Sequence, residues 1–105
     1  EEHYKDGDLV GLTYWDENGQ KYYEGYNKDG KDEALNIDWY ENGQKEAEGY
    51  MKDQMRDGLW TYWYENGQKK SEGLYKNGKL DGLWTVWSEA GERMDEAYFI
   101  DGKEY

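Results

Sequence analysis

Residues Asp57–Gly78 read DGLWTYWYENGQKKSEGLYKNG, and this stretch decides the fold. Trp60, Tyr62, Trp63 and Tyr64 form a run of strand formers, Asn66-Gly67 follows, and a polar strand ends at Tyr75 before Asn77-Gly78. A strand-forming run broken by Asn-Gly is a β-hairpin signal. The same unit returns in both directions. Glu-Asn-Gly-Gln-Lys stands at Glu17–Lys21, Glu41–Lys45 and Glu65–Lys69, with a degenerate copy at Glu89–Arg93, each 24 residues from the last. Trp15, Trp39, Trp63 and Trp87 precede these turns at one offset, and Glu24-Gly25, Glu48-Gly49, Glu72-Gly73 and Glu96-Ala97 follow them. Self-similarity at a fixed period marks a repeat architecture in which each unit leans on its neighbour.

The expected fold is all-β: tandem 24-residue hairpins forming one elongated, twisted antiparallel sheet of eight or nine strands, about 40 Å long at the usual strand spacing. Residues 1–105 form one array of about four units, the first and last atypical. Asn-Gly suits a type I′ turn, with positive φ at both central residues. A two-residue turn at Asn66-Gly67 pairs Trp63 with Lys70, Thr61 with Glu72, Leu59 with Leu74, and sets Trp60 opposite Gly73. A three-residue loop with a bulge at Gly67 would shift this by one. An aromatic ring over a strand glycine is a stabilising device, and it accounts for Gly25, Gly49 and Gly73. Asp6-Gly7, Asp29-Gly30, Asn77-Gly78 and Asp101-Gly102 join one unit to the next; Asp53-Gln54 lacks the glycine and predicts a different turn. Alternation places Leu59, Thr61 and Trp63, with Leu35, Ile37, Trp39 and Leu83, Thr85, Trp87, on a buried side. Trp60, Tyr62 and Tyr64, replaced by Asn36, Asp38 and Tyr40 in the second unit, fall on the variable, more exposed side.

Composition narrows the function classes. The chain has 105 residues, a net charge of −12, twelve Tyr and six Trp against one Phe, and neither Cys nor Pro. Disulfides and thiolate metal sites are excluded. Nucleic acids and anionic membranes need a Lys/Arg patch that this balance opposes. No apolar run reaches a transmembrane length. A start at Glu1 rather than Met leans towards a processed, secreted or cell-surface protein.

A unit in which Gly58, Trp60, Trp63, Tyr64, Asn66, Gly67, Glu72, Gly73, Tyr75 and Gly78 recur in register resembles the MORN repeat, and most closely its bacterial variant, which also occurs in antitoxin-like proteins. The resemblance implies stacked antiparallel hairpins and a role in protein interaction or scaffolding. It carries over no catalytic residue.

The leading candidate site is a binding face made of Tyr14, Tyr40, Trp60, Tyr62, Tyr64 and Trp84, since Tyr and Trp dominate interface hot spots. The bland alternative is that these rings only cover glycines and each other. A row of Glu24, Glu48, Glu72 and Glu96 is open to a basic partner or a cation, or simply pairs with Lys45, Lys69, Lys70 and Arg93. Turn carboxylates at Asp29, Asp32 and Glu33, or Asp16, Glu17 and Asn18, do not meet Ca²⁺-loop spacing. His3, the one histidine, has no catalytic company. No enzyme activity, cofactor or metal is expected. The expected function is a protein-interaction module with an aromatic, acidic sheet surface; the charge is compatible with a basic protein partner and equally with plain solubility. Neutralising a basic toxin and serving as a structural spacer are the alternatives, and glycan binding is a weaker one. Unpaired edge strands offer self-association.

Overall fold

The computed structural model describes residues 1–5, 8–27 and 33–105. Within them runs one antiparallel sheet of ten strands in sequence order. They are β1 (Glu2–Lys5), β2 (Asp8–Trp15), β3 (Lys21–Asn27), β4 (Glu33–Trp39), β5 (Lys45–Lys52), β6 (Met55–Trp63), β7 (Lys69–Lys76), β8 (Lys79–Trp87), β9 (Arg93–Ile100) and β10 (Lys103–Glu104). The all-β hairpin array is as expected, with ten strands among the described residues rather than eight or nine. The molecule measures 45 × 32 × 15 Å, the thickness of a single layer with side chains on both faces. The turns expected at Asp6-Gly7 and Asp29-Gly30 lie outside the described residues.

The hairpin loops differ from the two-residue type I′ form. Only the glycine is left-handed: Gly67 has φ +89°, and Asn66 is not among the positive-φ residues. The Gly67 N–H donates to the Tyr64 carbonyl at 3.0 Å, and the Tyr64 N–H to the Gln68 carbonyl at 2.8 Å. This is a three-residue loop, Glu65-Asn66-Gly67, built on a type I turn. It sets Trp63 opposite Lys69 rather than Lys70. A bulge at Lys70 then cancels the shift, so Tyr62 meets Ser71, Thr61 meets Glu72 and Leu59 meets Leu74. The other hairpins repeat the correction, with Trp15 opposite Lys21, Trp39 opposite Lys45 and Trp87 opposite Arg93.

The loop signature has a physical reading. Asn66 Oδ1 accepts from the Gln68 N–H at 2.9 Å, while its Nδ2 donates to the Glu89 carbonyl of the next loop at 2.8 Å. Asn42 does the same for Gln44 and Glu65. The Gln68 amide lies against Gly91, and Gln44 against Gly67. These two Asn-Gly-Gln loops thus close themselves and stack on their neighbours.

Between units the turns are type I′. Asn77 and Gly78 have φ +53° and +82°, and Asp101 and Gly102 have φ +52° and +84°. Asp53-Gln54 was expected to turn differently and does not: its φ values are +51° and +65°. The strand pairing imposes the left-handed conformation on Gln54, where a Cβ costs roughly 1–2 kcal/mol.

Burial departs from simple alternation. Leu59, assigned to the buried side, is 51% exposed, and Trp60 on the opposite side is 4% exposed. Two causes combine. A one-layer sheet has no second layer to cover either face. In addition, β6 carries extra residues between the pairs Tyr50–Asp57 and Gly49–Trp60, which leaves Leu59 without a partner on β5. The well-covered positions lie in the middle rows, where strand neighbours on both sides enclose the side chain: Thr13, Glu24, Ile37 and Thr61 on one face, Ala47, Trp60 and Ser71 on the other.

Candidate functional site: a gap in an aromatic sheet face

One face is self-satisfied. Its tryptophans and basic residues alternate across the sheet. The Lys21 ammonium lies 5.1 Å from the Trp39 ring and 3.2 Å from Glu24. Lys45 lies 5.8 Å from Trp63 and 2.7 Å from Glu48. Lys69 lies 5.5 Å from Trp87 and 3.1 Å from Glu72, and Arg93 is 3.1 Å from Glu96. The row Glu24, Glu48, Glu72 and Glu96 is therefore a line of ion-paired carboxylates. Lys70, expected to join it, instead lies 5.7 Å from the Tyr64 ring, on the bulge. Glu24 is the deepest of the row. Burial works to raise its carboxyl, but hydrogen bonds from Tyr26, Lys21 and Trp39 hold it below the ordinary value.

The opposite face is where the units differ. Trp60 lies flat on Gly49, and its Nε1 donates to the Tyr50 carbonyl at 2.9 Å. Tyr62 stands between Trp60 and Trp84, with ring centroids 6.2 and 6.1 Å away. Burial, and then its hydrogen bond with Tyr75, push the Tyr62 hydroxyl up to about 12. Trp84 covers Gly73. Trp60 pairs with Gly73 across the hairpin as expected, but its ring does not cover that glycine. Each ring instead leans back onto the preceding unit: Trp60 onto β5, Trp84 onto β7. A second aromatic block stands at the other end, where Tyr14 packs on Tyr22 at 5.9 Å and on Tyr23 at 5.7 Å.

Between the blocks the row is interrupted. Asn36 stands where the next units have Trp60 and Trp84, and Asp38 where they have Tyr62 and Val86. On β5 the facing residues are Ala47 and Gly49. Where large rings would fill the surface there is a concavity of about 450 Å³. Tyr23, Asn36, Asp38, Met51, Arg56 and Trp60 line it. The Tyr23 hydroxyl donates to Asn36 Oδ1, fixing that wall. The Arg56 guanidinium is held 5.2 Å from the Trp60 ring and 5.7 Å from Tyr75. Asp38 is half-buried, and no ion pair or hydrogen bond engages its side chain among the described residues. Burial raises its carboxyl above the ordinary value, and the charge of Arg56 only partly offsets this. Burial, then Asp38, also raise the Tyr23 hydroxyl.

The six residues expected to share a binding face separate into groups. Tyr14 (44% exposed) is in the first aromatic block. Trp60, Tyr62 and Trp84 form the second, with Trp60 buried rather than displayed. Tyr40 and Tyr64 stand at the loops, where their hydroxyls donate to the Trp63 and Trp87 carbonyls at 2.7 and 2.8 Å, tying one unit to the next. Asn36, Asp38, Met51 and Arg56 were not foreseen as site residues. Their signal was departure from the repeat rather than agreement with it. Asp16, in the suggested Ca²⁺ group, caps its own loop by accepting the Asn18 and Gln20 N–H groups. The side chains of His3, Asp29, Asp32 and Glu33 lie outside those described. No cluster of three or more His, Cys, Asp or Glu suited to a metal ion occurs among the described residues.

Comparison with known families finds the MORN repeat variant at residues 33–53 and 56–77, the two units that meet at the concavity. No curated protein and no solved structure matches the chain.

Proposed function

The chain belongs to the MORN-repeat family, and from that premise we propose that it is a protein-interaction module that receives an extended partner segment in the gap between Tyr23 and Trp60. Repeats of this family are generally protein-interaction or membrane-binding modules, and the family is not a catalytic one. With a net charge of −12, attraction to an anionic bilayer is opposed, which favours the protein partner. The observation that carries the reading is the interruption itself. The chain has rings for this face in its other units, yet at Asn36 and Asp38 it leaves a concavity walled by aromatic side chains. Such a combination of apolar walls and a few polar groups is how recognition sites are commonly built. Tyr14, Tyr62 and Trp84 extend the walls, and Tyr40 and Tyr64 keep the array in register.

The test fills the gap. Asn36→Trp/Asp38→Tyr restores the residues of the third unit. Random dodecapeptides displayed on phage are selected on the unmodified chain and counter-screened on this folded double variant. Peptides retained by the parent and lost on the variant are the expected result. Peptides that bind both equally would refute the reading.

A further inference from the structure

We infer that the gap takes a Lys or Arg side chain of the partner segment, its cation seated on the Asp38 carboxylate and its aliphatic stem lying along Met51 and the edge of Trp60. The inference rests on the interaction reading above and names the chemistry of its anchor.

Asp38 is the group that asks for a ligand. It is half-buried and lines the concavity, and no side-chain hydrogen bond or ion pair engages it among the described residues. The nearby cation is already committed: Arg56 lies over Trp60 and Tyr75 and makes no ion pair with Asp38. A carboxylate that is partly dehydrated and unpaired gains most from a cation brought by a ligand. Burial holds the Asp38 proton more tightly than usual, in keeping with that lack of a partner.

The shape agrees with the charge. Long basic side chains place their methylenes on apolar surface and carry the charge beyond it. Met51, Met55 and Trp60 offer such a surface in the lining beside Asp38, and Tyr23 and Asn36 complete it. The chain already holds cations this way on its other face, where Lys21 sits between the Trp39 ring and Glu24, and Lys45 between the Trp63 ring and Glu48. The gap presents the same pairing of ring and carboxylate with the cation left to the partner. Long-range attraction acts in the same direction, since a chain of net charge −12 draws basic segments towards it.

The experiment uses peptides recovered from the selection. Each basic residue is replaced in turn by norleucine, and Kd is measured by calorimetry on the full chain and on Asp38→Asn. One basic position is expected at which the replacement weakens binding at least tenfold on the parent and less than twofold on Asp38→Asn. Asn36→Trp/Asp38→Tyr is expected to lose these peptides. Gap-dependent peptides that contain no basic residue, or a norleucine penalty that persists on Asp38→Asn, would overturn the anchor while leaving the interaction reading intact. Failure to recover any gap-dependent peptide would overturn both.

Discussion

Trp84 lies on the backbone of Gly73 so closely that a Cβ on that glycine would fall 2.4 Å from the ring. The contact joins β7 to β8, across the boundary between two units. Gly49 and Trp60 repeat it one unit earlier, at 2.2 Å. Gly25 receives the Tyr23 hydroxyl and Asn36 in place of a ring, because Asn36 occupies the tryptophan position.

Gly73→Ala is accordingly expected to destabilise the protein by about 1–3 kcal/mol, the usual cost of forcing a methyl group into packed surroundings. Trp84→Ala removes the obstacle, so the double variant should be less destabilised than the sum of the single changes. Strict additivity in thermal or urea denaturation would show that the two residues do not interact.

Gln54→Gly is expected to stabilise. Gln54 has φ +65° in a turn whose counterparts at Gly78 and Gly102 have no Cβ. Relief of the left-handed strain amounts to roughly 1 kcal/mol. The glycine also gives the unfolded chain more freedom, which reduces the gain. A rise in the urea midpoint with an unchanged slope is the expected reading; a fall would mean that the Gln54 side chain supports the turn.

The loop-to-loop hydrogen bonds give a third prediction. Removing the hydroxyl in Tyr64→Phe leaves the Trp87 carbonyl without this donor and should cost about 1 kcal/mol. Tyr40→Phe should cost a similar amount through Trp63. Hydrogen exchange should accelerate most on the C-terminal side of Tyr64, where its partner lies. Uniform acceleration along the chain would argue against a local tie.

Asp38 supplies a prediction about pH. Its carboxyl is raised above the ordinary 3.8 by burial, with Arg56 opposing. The folded state therefore binds the proton more tightly than the unfolded state. Stability is lost as pH rises through the interval between the two values, and nothing is lost below the unfolded one. Asp38→Asn should thus melt higher than the parent at pH 7, and the advantage should shrink towards zero at about pH 3, below both values. Glu46→Gln, which removes an equal charge from an exposed side chain, corrects for the net charge. A gain no larger than in that control would rule out a burial cost at Asp38.

Much of the fold was legible because hairpin repeats speak through local chemistry. The 24-residue period, the asparagine-glycine loops and the pairing of Thr61 with Glu72 follow from adjacent residues alone. The bulge at Lys70 was not legible, since two opposite irregularities leave the pairing beyond them unchanged. Alternation misjudged Leu59 and Trp60 because it presumes a sheet with an inside, and one layer has none. The Asn36–Asp38 gap was visible only as a difference between units. A reading that seeks what repeats share ranks such positions last, and there the ring walls and an unpaired carboxylate come together.

The strictly sequential strand order has a kinetic consequence. Every strand pairs only with its neighbours in sequence, so no distant segments must meet before native contacts form. Contact order is low for an all-β protein, and folding should be correspondingly fast. Structure can start at any hairpin and spread outwards, as in other linear arrays. The meeting of the second and third units lies well inside the array and would be among the last parts to fray.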